Sequence, residues 1–167
     1  MKTSQQWWNE TKGSPLKLTN WLQRQCYGEY QAYKRISELA NKFQNPVLKK
    51  IADQEYTHYM WIRQYLTANG IEPVNEHEER YWKEVNLSFN NLIEAAAVGH
   101  HAEAMRLERI KVIAKDNSLN TLANIFKKIQ KDEEFHVKAF KDLTTEEELA
   151  IAAIDHEQGM ISLGLIA

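Results

Sequence analysis

The sequence predicts an all-α protein: an antiparallel four-helix bundle with a long crossover between its second and third helices and an extra helix at the C-terminus. Four long stretches repeat their apolar residues at three- and four-residue steps, the period of one helical face. Only three prolines and six glycines interrupt 167 residues, which favours long helices over a sheet. One long polar connection and two short ones join the four stretches, the pattern that a bundle with a single crossover requires.

The elements follow in order. Residues 1–14 form a polar lead holding Trp7 and Trp8, which predict that it folds back onto the bundle or onto a partner. Ser14 and Pro15 make an N-cap and first-turn pair, so the first long helix is expected over 15–44. Asn45-Pro46 stops it and opens the second, which closes at Asn69-Gly70. Residues 71–88, with Pro73 and the charges Glu76, Glu78, Glu79 and Arg80, form the crossover, with a short helix around Trp82. The third helix is expected over 89–115 and, after a turn at Lys115-Asp116-Asn117-Ser118, the fourth over 119–142. Thr144-Thr145-Glu146-Glu147-Glu148 reads as a capping box that opens a fifth helix ending at about residue 158. The apolar tail Met160–Ala167 is expected to dock within the bundle or at a homodimer contact. The chain reads as one domain, 1–167, with its bundle at 15–143 and its C-terminal helix and tail at 144–167.

Composition excludes several classes. A net charge of −2 and the lack of any basic run give nucleic acid no surface to follow. No apolar run approaches the roughly 18–20 residues of a membrane helix, so no membrane partner is expected. The single cysteine, Cys26, excludes an intrachain disulfide and a four-thiolate metal site. With no apolar signal segment at the N-terminus, the expected compartment is the cytoplasm.

Each apolar face is interrupted near its middle by acid or imidazole. Glu29 interrupts the first helix, between Cys26 and Ala32, and Glu55 and His58 the second, between Ala52 and Ile62. His100 and Glu103 interrupt the third, and Glu133 and His136 the fourth. A glutamate three residues before a histidine places both side chains on one helical face. Such groups in a helical core are costly without compensation, and a bound metal is the usual one. The order Glu, Glu-x-x-His, Glu, Glu-x-x-His on four helices is the pattern of a di-iron or di-manganese carboxylate site. Hard carboxylates with one imidazole per ion suit iron or manganese. If the phase of the third helix slips, Glu94 or Glu108 replaces Glu103. His100 stands either as a ligand or one turn from the metal. Tyr33, one turn after Glu29, is a candidate to hydrogen-bond a carboxylate, whereas Cys26 reads as a small buried hydrophobe.

With these residues in view, the chain resembles the rubrerythrin-type members of the ferritin-like superfamily over residues 15–143. The strongest match is Gly99-His100-His101-Ala102-Glu103 followed by Glu133-Glu134-Phe135-His136. The resemblance implies two iron ions, manganese being the alternative, with Glu29 as a terminal ligand, Glu55 and Glu133 as bridges, His58 and His136 as imidazole ligands, and Glu103 as the second glutamate of the third-helix run. His100 stands where that run has its first glutamate. The four-cysteine rubredoxin domain of rubrerythrins proper is lacking, so electrons are expected from an external donor protein or a small reductant.

The expected activity is peroxide reduction or ferrous oxidation, with peroxide or O2 as the oxidant. The alternatives are an O2-activating hydroxylase with an organic substrate and, in another class, iron storage or a non-catalytic helical module. A hydroxylase needs a sizeable pocket beside the metals.

Overall fold

A computed structural model of the chain describes residues 1–74 and 76–167. Helices α1 (Ser4–Lys12), α2 (Pro15–Phe43), α3 (Pro46–Ala68), α4 (Arg80–Lys83), α5 (Leu92–Ala114), α6 (Asn120–Asp142) and α7 (Glu146–Ser162) account for the regular structure, with a 3-10 turn at Asn117–Leu119. The described residues contain no strand. None of the helices is long and apolar enough to cross a membrane.

Two hairpins, α2–α3 and α5–α6, make the bundle. The first is made tight by Gln44, whose φ of 48° turns the chain out of α2. Asn45 then accepts from Val47 N at 2.9 Å and Leu48 N at 3.0 Å, while Pro46 gives up an N–H that would have had no helical partner. Asn91 caps α5 in the same way by accepting from Glu94 N at 3.0 Å. Between the hairpins, the crossover is pinned to α2: Lys42 Nζ donates to Phe89 O at 2.6 Å, and the Arg35 guanidinium lies 4.1 Å from the centre of the Trp82 ring.

The apolar core has two layers. One gathers Leu22 and Cys26 of α2, Ile62 and Leu66 of α3, Ile110 of α5 and Phe126 and Ile129 of α6. The other gathers Ile36 and Ala40, Leu48 and Ala52, Ala96, and Ala139 and Phe140. Each of the four long helices crosses from one layer to the other, and the predicted site residues occupy the crossing point. Gly99 makes one close approach possible, since a Cβ there would lie 2.7 Å from the Phe140 ring.

The lead differs from its sequence-based reading. It is helical, with a Thr3-x-x-Gln6 capping box, and packs on the first layer through the fully buried Trp8. Trp8 Nε1 and Lys12 Nζ each donate to Asp116 Oδ2 at 2.7 Å, tying α1 to the α5–α6 turn. At the other end α7 reaches Ser162, a turn beyond the expected stop, and packs on α5 and α4. Tyr81 Oη donates to His156 Nδ1 at 2.8 Å, and the His156 ring stacks 4.9 Å from that of His101. Burial, with His101 beside it, pushes His156 down to about 4, so it stays a neutral acceptor. Gly159 lets Tyr81 approach; a Cβ there would lie 2.4 Å from the ring. The tail docks on its own chain, with Leu163 against Tyr81, Val85 and Ala102.

Asp116 is therefore the anchor of α1. Asp116→Ala leaves the buried Trp8 indole N–H without an acceptor, which costs about 2 kcal/mol. For a chain of this size that lowers the melting temperature by roughly 4–8 °C, and tryptophan emission shifts to the red as α1 loosens. A melting temperature equal to that of wild type overturns this account.

Candidate metal centre

Glu29, Glu55, His58, Glu133 and His136 are each 0 % exposed, and Glu103 is 4 % exposed. Their ligand atoms fall into two groups, Glu29, Glu55, His58 and Glu133, and Glu55, Glu103, Glu133 and His136. Within each group the atoms lie within 4.8 Å of one another. Glu55 and Glu133 belong to both. Sequence spacing alone placed these residues on four separate faces; the fold brings them to one point.

Eight buried side-chain atoms of this cluster have no hydrogen-bond partner among the described residues: both oxygens of Glu55 and of Glu133, Oε2 of Glu29 and Glu103, and Nδ1 of His58 and His136. The two Nδ1 atoms stand 3.2–3.6 Å from glutamate oxygens. Orphaned buried polar atoms are rare in folded proteins because each forfeits its hydration. Eight of them converging from four helices form a donor set of carboxylate oxygen and imidazole nitrogen that fits hard divalent ions such as iron or manganese.

The outer edge of each imidazole is fixed by the opposite helix. His58 Nε2 donates to Asp132 Oδ2 at 2.9 Å, and His136 Nε2 donates to Gln54 Oε1 at 3.0 Å. Gln54 Nε2 donates to Asp132 Oδ1 at 3.1 Å, which sets the amide oxygen toward His136. With both Nε2 positions committed as donors, each ring turns Nδ1 toward the cluster. Gln54 and Asp132 are the residues immediately before the glutamates of the two Glu-x-x-His motifs, so the α3 motif orients the α6 imidazole and the reverse. Their position was the signal, and sequence reasoning passed over it.

It also passed over Arg106. This residue lies one turn after Glu103, on the same face, with its side chain a fifth exposed. Its Nη2 donates to Glu29 Oε1 at 2.6 Å and lies 3.8 Å from Glu133 Oε1, and its Nη1 is 3.6 Å from Glu103 Oε1. Burial pushes Glu29 up to about 7 and Glu103 well above the ordinary carboxyl range. Against the cost of burial, Glu133 and Glu55 push His136 up to about 9, and Asp132 and Glu133 raise His58. Without metal the cluster is compensated by protons and one guanidinium.

Two candidates fall outside. His100 points away, with Nδ1 donating to Val137 O at 2.9 Å, and joins neither group. Tyr33 packs against Tyr30 and Tyr56 at ring distances of 5.9 and 5.0 Å, and its hydroxyl hydrogen-bonds no cluster carboxylate among the described residues. Cys26 is a buried thiol, pushed up to about 12 by burial and by the nearby Glu29, and acts as an apolar filler.

A family model described as rubrerythrin matches residues 20–144. The chain belongs to the rubrerythrin family. The matched span contains all six cluster residues, together with Gln54, Asp132 and Arg106. No curated protein and no solved structure matches significantly. Within this rubrerythrin-family fold, Glu103 and Arg106 also form the inner wall of a cavity of about 170 Å³ between α2 and α5, roofed by Trp82, Leu87 and Phe89 of the crossover.

Two expectations follow. Metal must displace the protons held on Glu29, Glu103 and the imidazoles, so affinity rises with pH through about 7 and on toward about 9, with protons released on binding. Calorimetry in buffers of different ionisation enthalpy measures that release, and a release of zero overturns the assignment. For the imidazoles alone the sign is opposite for stability: their raised affinity for protons stabilises the metal-free fold below the ordinary histidine range, a contribution lost as pH rises through about 9. Second, Arg106→Met removes the guanidinium shared by three cluster carboxylates and costs the metal-free protein about 3–5 kcal/mol, while saturating metal raises the melting temperature of the variant more than that of wild type. Equal metal-induced shifts rule out a compensating role for Arg106.

Proposed function

We propose that the protein is a di-iron oxidoreductase that reduces peroxide or oxidises ferrous iron at a carboxylate-bridged centre. The observation that carries this reading is that Glu55 and Glu133 are common to both ligand groups. Glu29, Glu55, His58 and Glu133 would hold one ion and Glu103, His136 and the same two bridging carboxylates the other. Two bound iron ions would supply a paired two-electron couple, enough to reduce one peroxide to two waters when two protons are taken up. The chain's own residues prepare that chemistry. Asp132 and Gln54 hold both imidazoles in the Nδ1-inward orientation. The two apolar layers exclude water from either side of the cluster. Arg106 places a positive charge beside three of the carboxylates, which favours the less charged, reduced pair.

The reading extends to an external electron donor, a homodimer and a cytoplasmic setting. The exposed Ile151 and Ile154 on α7 support self-association. A second reading, an oxygenase with an organic substrate, is favoured by one observation: the cavity that ends at Glu103 and Arg106.

The test has two parts. Elemental analysis of the wild type should return two ions per chain, and Glu133→Ala should lose both; a variant that keeps two ions overturns the bridging assignment. Stopped-flow mixing of the ferrous protein with each oxidant should then show peroxide reacting faster than O2 with no organic substrate present. If O2 reacts faster and an organic compound is hydroxylated, the second reading replaces the first.

A further inference from the structure

The cavity between α2 and α5 has a composition that peroxide does not need. Ala32, Ile36 and Leu39 of α2 face Val98 and Ala102 of α5 across it, and Phe140 closes one end. A small symmetric oxidant requires neither this space nor this apolar wall. About 150 Å³ of apolar space is enough to hold benzene, so 170 Å³ accommodates a ring or a short chain.

The charged groups set a direction along it. At the inner end Glu103 presents a buried oxygen with no partner, and Arg106 has its guanidinium committed to Glu29 at 2.6 Å. Arg106 is shared among three carboxylates there, so Arg35 is the better partner for an anion. On the crossover side stands Arg35, whose guanidinium carbon lies over the Trp82 ring, 4.1 Å from its centre. Its carboxylate contact among the described residues, Glu79, is long at 3.5 Å, although a guanidinium has five N–H groups to donate. Arg35 is thus a fixed, half-buried cation with donors to spare, stacked on an aromatic face and presented to an apolar cavity. Glu38, also at this rim, is exposed, and its charge is screened by water.

We propose that this cavity binds a small apolar organic acid, with the carboxylate on Arg35 and the apolar end directed toward Glu103. Arg35 is preorganised by its stacking on Trp82, so little freedom is lost when it pairs with the ligand. The tight seat of Phe140 against Gly99 keeps the closed end rigid. Binding depends only on the cavity and on Arg35; delivery of the apolar end to the metals rests on the di-iron reading above.

The probe is 3-phenylpropanoate, compared with the neutral 3-phenylpropanol, titrated calorimetrically into the full chain before and after metal loading. The wild type should bind the acid at least about tenfold more tightly than the alcohol, since a charge-assisted bidentate pair contributes that much. Arg35→Met should remove the preference and leave the affinity for the alcohol unchanged. Val98→Phe should abolish binding of both, and nuclear Overhauser contacts from the probe ring to Val98 and Phe140 in the wild type locate the site independently of that variant. Equal affinities for acid and alcohol, no binding of either, or contacts elsewhere overturn the proposal. Metal content measured on the same samples separates the two readings: two ions without probe affinity overturns this inference alone, and probe affinity in a chain that takes no metal supports it while overturning the di-iron centre.

Discussion

Four glutamates and two histidines meet where the helices pass from one apolar layer to the other, and the fold depends on how their charge is compensated. Glu29 with Glu55 and Glu133, Glu103 with the same two, and Glu55 with Glu133 are five carboxylate pairs within 4.8 Å. At an effective dielectric constant of 20, each ionised pair at that distance repels by about 3.5 kcal/mol. Five together match or exceed the whole stability of an ordinary domain, about 5–15 kcal/mol. The cluster therefore never stands fully ionised by itself. Without metal, protons settle on Glu29, Glu103 and the imidazoles, and Arg106 supplies the remaining charge. Divalent metal would do the same work with the carboxylates ionised and the imidazoles neutral.

The architecture around the cluster follows from that constraint. Imidazoles that are to present a lone pair inward need a committed outer edge, and the shortest route to one is the neighbouring helix. Asp132 and Gln54 provide it reciprocally, and their own hydrogen bond at 3.1 Å couples the two hairpins at the level of the site. Among the described residues, the buried polar side chains are the six of the cluster and Thr11 of α1. Added elements then cover what the four helices leave open: α1 seals the first layer with Trp8, and α7 closes over α5 through the stacked His101 and His156.

The sequence was most readable where the helical period and the chemistry coincide. Glu-x-x-His inside an apolar stripe can be recognised without coordinates, because a buried acid has few inexpensive explanations. The α2, α3 and α6 boundaries followed from caps and prolines within a residue or so. α1 escaped because nine residues with two adjacent tryptophans show no stripe; its stability comes from Asp116, over a hundred residues away. His100 was open between two roles because residues three apart on a helix differ by about 60° in direction, and only the packing of α5 on α6 decides which of His100 and Glu103 faces the centre. Arg106 was passed over because an arginine on a helix reads as solvated unless a partner is known, and two of its three carboxylates lie on other helices, α2 and α6.

The positive charge beside the cluster carboxylates belongs to a guanidinium and not to an imidazole. An imidazole can lose its proton and become neutral, so its contribution fades as pH rises. A guanidinium cannot. In the di-iron reading, the four cluster carboxylates would balance two divalent ions, and Arg106 would add one positive charge beside them. Removing two electrons adds two further positive charges within a few ångströms of that guanidinium, in surroundings where solvent is excluded by apolar layers on both sides. The penalty falls on the oxidised pair at every pH. In the proposed di-iron reading, such a site would hold its electrons until it met an oxidant able to take two at once.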